Sequence, residues 1–513
     1  MKHRRLSVVI AAHNEARTIG PLVRRLLQWN RKPEVIVVAN GCRDGTARIA
    51  KATGARVVRF THQLGPDVGR AIGIGLARGD IVLVLDADML IPLAQLEPFV
   101  RAVERGVDVA LNRYPFPHTK QFHHQTAVAK HALNIFANRA DLRAASLTAV
   151  PHALSRKAIE TLGPMAFCVP PVAQARAMCT SGLKVALAGR VHVGKLNRVR
   201  SALHLKAYRE LILGDCLEGM AVIIRERGIR AGFTDLGRRR ELGDRLASTA
   251  VAPTRVRVAS VIPTQGERHL PELVGTLGAS NVDCIQLICN GVDESMAKAY
   301  EGMPNVLVDY HRQRVGHDVG RAMGCLQVEA DKYFITDADI VLQQGDILPF
   351  LNALDTGVDV ALNRLDDILP KARQTDPPSI VKRFLNLALG RSDLGVSSLT
   401  AVPHAIRGDA VRTIGADALM VPPLAEVKAV LAGLRVQAVH AVDVVKTNAY
   451  RPHLHHTSAG KPLQQLIIGD YMEAIAYLQR RLGSRGNFPD TLRRRDVAEK
   501  YMQRKGWLQQ EMG

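Results

Sequence analysis

Two acidic pairs are the residues best suited to chemistry. Asp86-Ala-Asp88 follows the apolar run IVLVL at 81–85, and Asp337-Ala-Asp339 follows KYFIT at 332–336, 251 positions later. Carboxylates flanking one small residue at the end of a buried strand make a compact set of hard oxygen ligands. Mg2+ or Mn2+ favours such a set and completes its shell with water and substrate phosphate. A single D-x-D is more often a loop or a cap than a metal site. Two in matching surroundings weigh more.

The surroundings match because the chain is an internal repeat. DVGRA occurs at 67–71 and 318–322, GVDVALNR at 106–113 and 357–364, and SLTAVPHA at 146–153 and 398–405. RAGFTDLGRRR at 230–240 corresponds to RGNFPDTLRRR at 485–495. This divides the chain into residues 1–245, a small, proline-bearing linker at 246–256, and residues 257–513. The arginine-rich tails, Arg238 to Arg240 and Arg493 to Arg495, read as solvated helix ends. GVDVALNR, identical in both repeats, reads either as a strand buried between paired repeats or as a shared contact through Arg113 and Arg364.

Each repeat alternates strand and helix. LSVVIAA, EVIVVANG, ARVVRF and IVLVLDAD read as buried strands; Ile19, Leu22, Val23, Leu26 and Leu27 recur at helical spacing. RVASVIPT and IQLICNG, with Leu270, Leu273, Val274 and Leu277 between them, follow in the second repeat. Such alternation predicts a mostly parallel, Rossmann-like α/β sheet covered on both faces. Ligands of such sheets bind outside the carboxyl ends of the strands, where Glu15, Asn40, Asp86 and Asp88 all fall.

Composition agrees and excludes other classes. With 47% hydrophobic and 23% charged residues, the 513-residue chain is globular and too long for one core. No run approaches the roughly 18 apolar residues of a membrane span, and the amino terminus turns polar too early for a signal peptide. Seven scattered cysteines without C-x-x-C spacing fit reduced thiols in a cytoplasm. A net charge of +21 points to anionic partners, phosphorylated ligands above all, with peripheral contact at an anionic membrane as a lesser option. Only 4% aromatic residues and no aromatic-interleaved basic patch argue against nucleic acid.

VVIAAHNEARTIGPLVRRL, VIVVANGCRDGTARIA and ARGDIVLVLDADM, in that order and spacing, resemble the nucleotide-binding half of a GT-A glycosyltransferase of the family 2 kind. The resemblance is specific over about the first hundred residues and looser in the second repeat. It implies two tandem GT-A domains forming a pseudo-dimer, and metal-dependent transfer of a sugar from a nucleotide-diphospho-sugar to an acceptor that the residues do not name. The resemblance also implies that a shared contact through Arg113 and Arg364 would be to that acceptor. Ala11, His13, Glu15 and Asn40 would line the nucleoside pocket. Arg70 would face the diphosphate, Asp86 the ribose and the metal's surroundings, and Asp88 the metal. In the second repeat the corresponding residues are Glu267, Asn290, Arg321, Asp337 and Asp339. V-x-K-x-N-x-x-R-x-x-L-H, shared at 193–204 and 444–455, implies Lys195, Arg200, Lys446 and Arg451 at the diphosphate. It also implies His204 and His455 as further metal ligands. The first repeat has the fuller nucleotide blocks and is read as the active copy.

One departure bears on the reaction. Where inverting members carry the acidic general base, this chain has Pro170 and Pro171, and again Pro422 and Pro423. One reading is a retaining transferase, in which the leaving phosphate assists the acceptor; the later half of the repeat loosely resembles glucosyl-3-phosphoglycerate synthases. A regulatory protein that binds a sugar nucleotide without turnover is the second reading. A nucleotidyltransferase is the third, although no glycine-rich, lysine-containing loop follows the first strand.

Overall fold

A computed structural model of the protein describes residues 5–113, 124–193, 202–242, 255–370, 375–444 and 461–507. Of the linker expected at 246–256, only residues 255 and 256 fall among these, and both already belong to a strand.

Buried apolar runs become strands where the repeat predicts them. The first sheet contains β1 (Leu6–Ala12), β2 (Glu34–Asn40), β3 (Arg56–Phe60), β4 (Ile81–Asp86), β5 (Val109–Asn112), β6 (His152–Ser155) and β7 (Val185–Gly189). Their order across the sheet is β3-β2-β1-β4-β6-β5-β7, and β6 alone runs antiparallel to its neighbours. The second sheet repeats this arrangement with β8 (Arg255–Thr264), β9 (Cys284–Asn290), β10 (Val306–His311), β11 (Glu329–Ile335), β12 (Val360–Asn363), β13 (His404–Arg407) and β14 (Val436–His440). Its order is β10-β9-β8-β11-β13-β12-β14, with β13 antiparallel. These are two α/β units of mostly parallel sheet, the architecture implied by the GT-A resemblance.

Helices cover the sheets by burying one stripe each. In Ala16–Leu27 the buried stripe is Ile19, Leu22, Val23 and Leu26, whereas Leu27, the last of the predicted series, stays exposed. Around the second sheet two apolar clusters form, one per face. One gathers Val319, Ala322 and Met323 with Ala425 and Ala429; the other gathers Leu270, Leu273 and Leu277 with Phe350 and Leu354. All seven cysteines are free, and no described helix is long and apolar enough to cross a membrane.

Within its own unit GVDVALNR supplies a buried strand, while Arg113 and Arg364 at its end are exposed. Val109, Ala110 and Leu111 are fully buried in an interior strand. Asp108 receives Lys184 N (2.9 Å) and Ser155 Oγ (2.7 Å), and Asn112 exchanges hydrogen bonds with both backbone groups of Val191 (2.9 and 3.0 Å). Asp359 and Asn363 repeat those contacts on Arg435 N and Val442.

The compact units do not coincide with the sequence repeats. One unit comprises residues 1–228 together with 482–513, and the other comprises 229–481. Each unit therefore contains the tail of the other repeat, and the tails are not solvated ends. Arg238 and Arg493 have side chains with 0% exposure. Arg493 pairs with Asp215 and Asp490, Arg485 with Asp215 and Glu218 (both 2.8 Å), and Arg495 with Glu218 (2.8 Å). In the other unit Arg238 pairs with Asp470 (2.5 Å), Arg230 with Asp470 (2.7 Å) and Glu473 (3.0 Å), and Arg240 with Glu473 (2.8 Å). The receiving helices, Ala202–Arg227 and Pro462–Leu482, both carry G-D-x-x-E, whose acids lie on one face at i, i+3. The glycine is required for close approach: a Cβ at Gly214 would lie 2.6 Å from Arg485 Nη2, and one at Gly469 2.5 Å from Arg230 Nη2. In the first unit the tail continues as a helix, Arg495–Arg504, that packs Ala498 and Met502 into the core.

Breaking a buried ion pair by removing one partner destabilises by about 3–5 kcal/mol. A fragment of residues 229–481 is therefore expected to unfold cooperatively on heating, monitored by circular dichroism. A fragment cut at the repeat boundary, 257–513, loses Arg230, Arg238 and Arg240 and is expected to melt much lower or without cooperativity. Equal stability of the two fragments would rule out the exchanged tail as part of the fold.

Candidate functional site

The carboxyl ends of β1, β2 and β4 form one rim. Parallel pairing sets Ala11 opposite both Val38 and Asp86, so the nucleoside-side residues and the acidic pair lie side by side. Asp86 is the last residue of β4. Arg70, in the first turn of the helix Val68–Leu76, reaches it with Nε (2.9 Å) and Nη2 (2.7 and 2.5 Å). Nη1 donates to Asp67 (2.8 Å) and to the Thr148 carbonyl (3.2 Å), so every nitrogen of the guanidinium is engaged within the chain. The structure thus turns Arg70 toward Asp86, where the sequence reading turned it toward a diphosphate. Burial opposes the guanidinium charge, but Asp86 and Asp67 outweigh it and hold the pKa above its ordinary value. Asp67 adopts a left-handed φ of 63° that aims its carboxylate back at Arg70, and burial pushes that carboxyl up to about 6.

The remaining residues of the first rim are held by loop contacts. His13 Nδ1 lies 2.7 Å from the Asn40 carbonyl, and Asn14 accepts Arg43 N (2.8 Å) from a left-handed φ of 56°. Glu15 opens the first helix, its backbone N–H donating to Thr46 Oγ1 (2.8 Å). Asn40 is buried, and its amide grips the loop ahead of Asp67: Oδ1 accepts Leu64 N, and Nδ2 donates to Gly65 O (3.1 Å). It shapes the pocket's edge. Asp88 lies half-buried, two residues past the ladder.

The second unit builds the same arrangement with altered spacings. Arg321 Nη2 bonds Asp337 (3.1 and 3.3 Å), and Nη1 lies 2.9 Å from Asp318, whose φ is 65°. Strand β11 ends at Ile335, with Thr336 N still donating to Val261 O (3.2 Å), so Asp337 lies just past the ladder. Asp339 is buried. Asn290 accepts Val315 N (2.8 Å), as Asn40 accepts Leu64 N. Glu267 folds onto its own loop, accepting Thr264 Oγ1 and Gln265 N (both 2.8 Å).

Lys195, Arg200, Lys446, Arg451 and His455 lie outside the described residues, as does the side chain of His204. Among the described residues no three His, Cys, Asp or Glu side chains converge as a metal site.

Pro170 and Pro171 occupy the first positions of the helix Pro170–Cys179, as Pro422 and Pro423 do in Pro422–Leu431. Proline suits that place, because its fixed φ is helical and its missing N–H would have had no partner there. The helix then offers no carboxylate at its start. Its buried Gln174 accepts Leu147 N (2.9 Å) and donates to Asn134 (2.7 Å) and Ala145 O (3.1 Å).

Sequence reasoning missed several participants. Thr148 and His152 belong to SLTAVPHA, whose repetition signalled importance without a role. His152 and His404 each place Nδ1 on a backbone carbonyl, Ala149 (3.0 Å) and Ala401 (2.9 Å), and both are buried. Lys130 and its counterpart Lys382 were not singled out. Burial lowers the pKa of each ammonium, and Cys216, Asp67, Arg70 and Asp215 are the groups acting on Lys130.

Comparison with known proteins bears on this rim. Residues 7–162 match the family model for glycosyl transferase family 2. An undecaprenyl-phosphate 4-deoxy-4-formamido-L-arabinose transferase of Pseudomonas aeruginosa (strain LESB58) is 31% identical over 114 residues, covering 20% of this chain and 34% of that protein. The enzyme of the same name from Edwardsiella ictaluri is 30% identical, covering 20% and 35%. The chain thus spans about a third of the length of these curated relatives. Among solved structures, glucosyl-3-phosphoglycerate synthase from Mycobacterium tuberculosis, in complex with Mn2+, uridine diphosphate and glucosyl-3-phosphoglycerate, is similar. It has 21% identity and a TM-score of 0.34, and the match covers 42% of this chain and 80% of that one.

Burial pushes both His152 and His404 down to about 4, with Arg70 or Arg321 acting in the same direction and Asp86 or Asp337 against it. An unfolded histidine titrates near 6.5. Between those values the unfolded chain binds a proton that the folded chain refuses, so stability is complete above about 6.5 and falls as pH drops toward 4. Each histidine is expected to remove about 2 kcal/mol by pH 5. His152→Asn, which keeps a donor for Ala149 O, should flatten the fall measured by urea unfolding at pH 7 and pH 5. An unchanged pH dependence in that variant would remove His152 from the account.

Proposed function

We propose that the first unit binds a nucleotide-diphospho-sugar at the rim of Ala11, His13, Glu15, Asn40, Asp86 and Asp88 and transfers the sugar to an anionic acceptor. The observation carrying this reading is the Arg70–Asp86 clamp, which fixes the end of β4 inside the stretch that matches family 2. With its charge met by Arg70, Asp86 serves a ribose hydroxyl and orients the segment that bears Asp88. Asp88 contributes the hard oxygen that Mg2+ or Mn2+ prefers, and such an ion commonly takes one or two carboxylates with the substrate's phosphates completing its shell. That donor set fits. When bound, the ion supplies charge neutralisation at the leaving diphosphate. Lys195, Arg200 and His204 are assigned to the same diphosphate and ion.

No carboxylate stands at Pro170 or Pro171 to take the acceptor's proton, which favours transfer with retention, the departing phosphate accepting that proton. The relatives are named for undecaprenyl phosphate, and a net charge of +21 suits an acceptor that bears phosphate. The second unit, through Asn290, Glu267, Arg321, Asp337 and Asp339, with Lys446, Arg451 and His455, is assigned a donor pocket of the same design. Binding without turnover is the second reading, and the proline-started helices are the observation that favours it.

Calorimetric titration of UDP and GDP, with and without Mn2+, on the wild type, Asp88→Ala and Asp339→Ala tests the assignment. Two Mn2+-dependent sites are expected, each weakened more than about tenfold, or ~1.4 kcal/mol, by its own substitution. Sugar transfer from a labelled donor separates turnover from binding, and pyrophosphate release would identify a nucleotidyltransferase. No binding of either nucleotide by the wild type would overturn the donor-site reading.

A further inference from the structure

The tail of each repeat ends beside the other repeat's left-handed aspartate. In the first unit Arg494 N donates to Leu64 O (2.8 Å), and a Cβ at Gly65 would fall 1.7 Å from Leu492 O. In the second, Arg239 N donates to Val315 O (2.9 Å), and a Cβ at Gly316 would fall 2.7 Å from Arg238 Cα. The loop at 64–65 is therefore held between the tail on one side and the Asn40 amide on the other; the loop at 315–316 is held likewise by Asn290. Both loops lead straight into Asp67 or Asp318 at positive φ, a conformation that persists only when its surroundings enforce it.

From there an alternating chain of charge runs to the acidic pair. Arg493 Nη1 lies 4.0 Å from Asp67 Oδ2, Asp67 Oδ1 2.8 Å from Arg70 Nη1, and Arg70 Nη2 2.5 Å from Asp86. In the second unit Arg238 lies 3.2 Å from Asp318, Asp318 2.9 Å from Arg321, and Arg321 3.1 Å from Asp337. The two chains differ in a consistent sense. Where the tail arginine is distant, Arg70 grips its strand-end aspartate with Nε as well as Nη2. Where the tail arginine is close, Arg321 uses Nη2 alone. In each unit the middle aspartate lies between two cations, the tail arginine and the helix-start arginine.

We infer that the tail arginine of one repeat, Arg493 for the first unit and Arg238 for the second, is a positioning residue for the other repeat's donor site, acting through Asp67–Arg70–Asp86 or Asp318–Arg321–Asp337. This rests on the donor-site reading proposed above for the meaning of "donor", although the relay itself does not. The consequence is specific: each pocket is incomplete without residues encoded in the opposite half of the chain. Arg485 provides the control. It pairs with Asp215 and Glu218, docking the same tail, but has no contact with Asp67.

The test uses the full-length chain carrying Arg493→Met, Arg493→Lys, Arg485→Met or Asp67→Asn. Three quantities are measured: melting temperature, Mn2+-dependent UDP binding at the site that Asp88→Ala removes, and the 15Nε resonance of Arg70, assigned through Arg70→Lys. Both methionine variants should lose melting temperature. Only Arg493→Met should shift the Arg70 resonance and weaken UDP about tenfold, and Arg493→Lys should recover most of the affinity. Should Arg493→Met fail to fold, Asp67→Asn breaks the same relay while Asp215 still holds the tail, and the same shift and weakening are expected. An unmoved Arg70 resonance, or equal loss of affinity in Arg485→Met, overturns the inference. A wild type that binds neither UDP nor GDP refutes the donor reading alone, since the Arg70 resonance still decides the relay.

Discussion

A guanidinium buried at the carboxyl end of a strand needs acceptors on every side, and Arg70 organises its surroundings accordingly. An unpaired buried charge is among the most destabilising features a fold can contain. Asp86 must therefore end β4, Asp67 must turn back at positive φ, and the Thr148 carbonyl must point inward. SLTAVPHA recurs unchanged because its backbone and its buried histidine fill the space around that charge. Arg321, at 3% exposure, is met in the second unit by Asp318 and Asp337. The acidic pair owes its geometry to this clamp at least as much as to the strand that precedes it.

A second buried charge system extends the first. The G-D-x-x-E helix places Asp215 and Glu218, or Asp470 and Glu473, where water is largely excluded, and three arginines of the tail answer them. Arg493 and Arg238 contact both systems at once, so a cut between the repeats separates the rim from an arginine that faces it. The tail backbone can approach only because Gly65 and Gly316 lack a Cβ. Charge pairing and steric fit thus select the same partner.

Much of this was legible in the sequence. Strands β1, β2 and β4 were readable because buried parallel strands are continuous apolar runs. The rim was readable because a parallel sheet gathers its strand ends, so the neighbourhood of Ala11, Asn40 and Asp86 followed from the element order. The contact of Arg70 with Asp86 was not readable: a helix-start arginine before D-x-D fits a diphosphate as well as it fits the first aspartate, and the geometry supplies the latter. The tails were misread for a related reason. Three consecutive arginines followed by one acid, Glu241 or Asp496, look like a solvated charge run, and the further acids that bury them lie on distant helices. A signal existed in the repeated G-D-x-x-E, whose acids sit among Leu, Ile and Met and so require cations from elsewhere. For the Lys195-to-His204 element, the described residues add no test.

The position where an acidic base would be sought has chemistry of its own. Gln174 and Glu426 are equivalent, and each starts from a proline-opened helix and accepts the N–H of Leu147 or Leu399. Gln174 also donates to Asn134, whose Nδ2 binds Arg143 O and Ala145 O. Asn386 binds Gly395 O and Ser397 O in the same way, which leaves its Oδ1 as an acceptor awaiting a donor. Burial pushes the Glu426 carboxyl up to about 7. Glu426 supports the SLTAVPHA loop through Leu399 N, and neither proline-opened helix starts with a carboxylate.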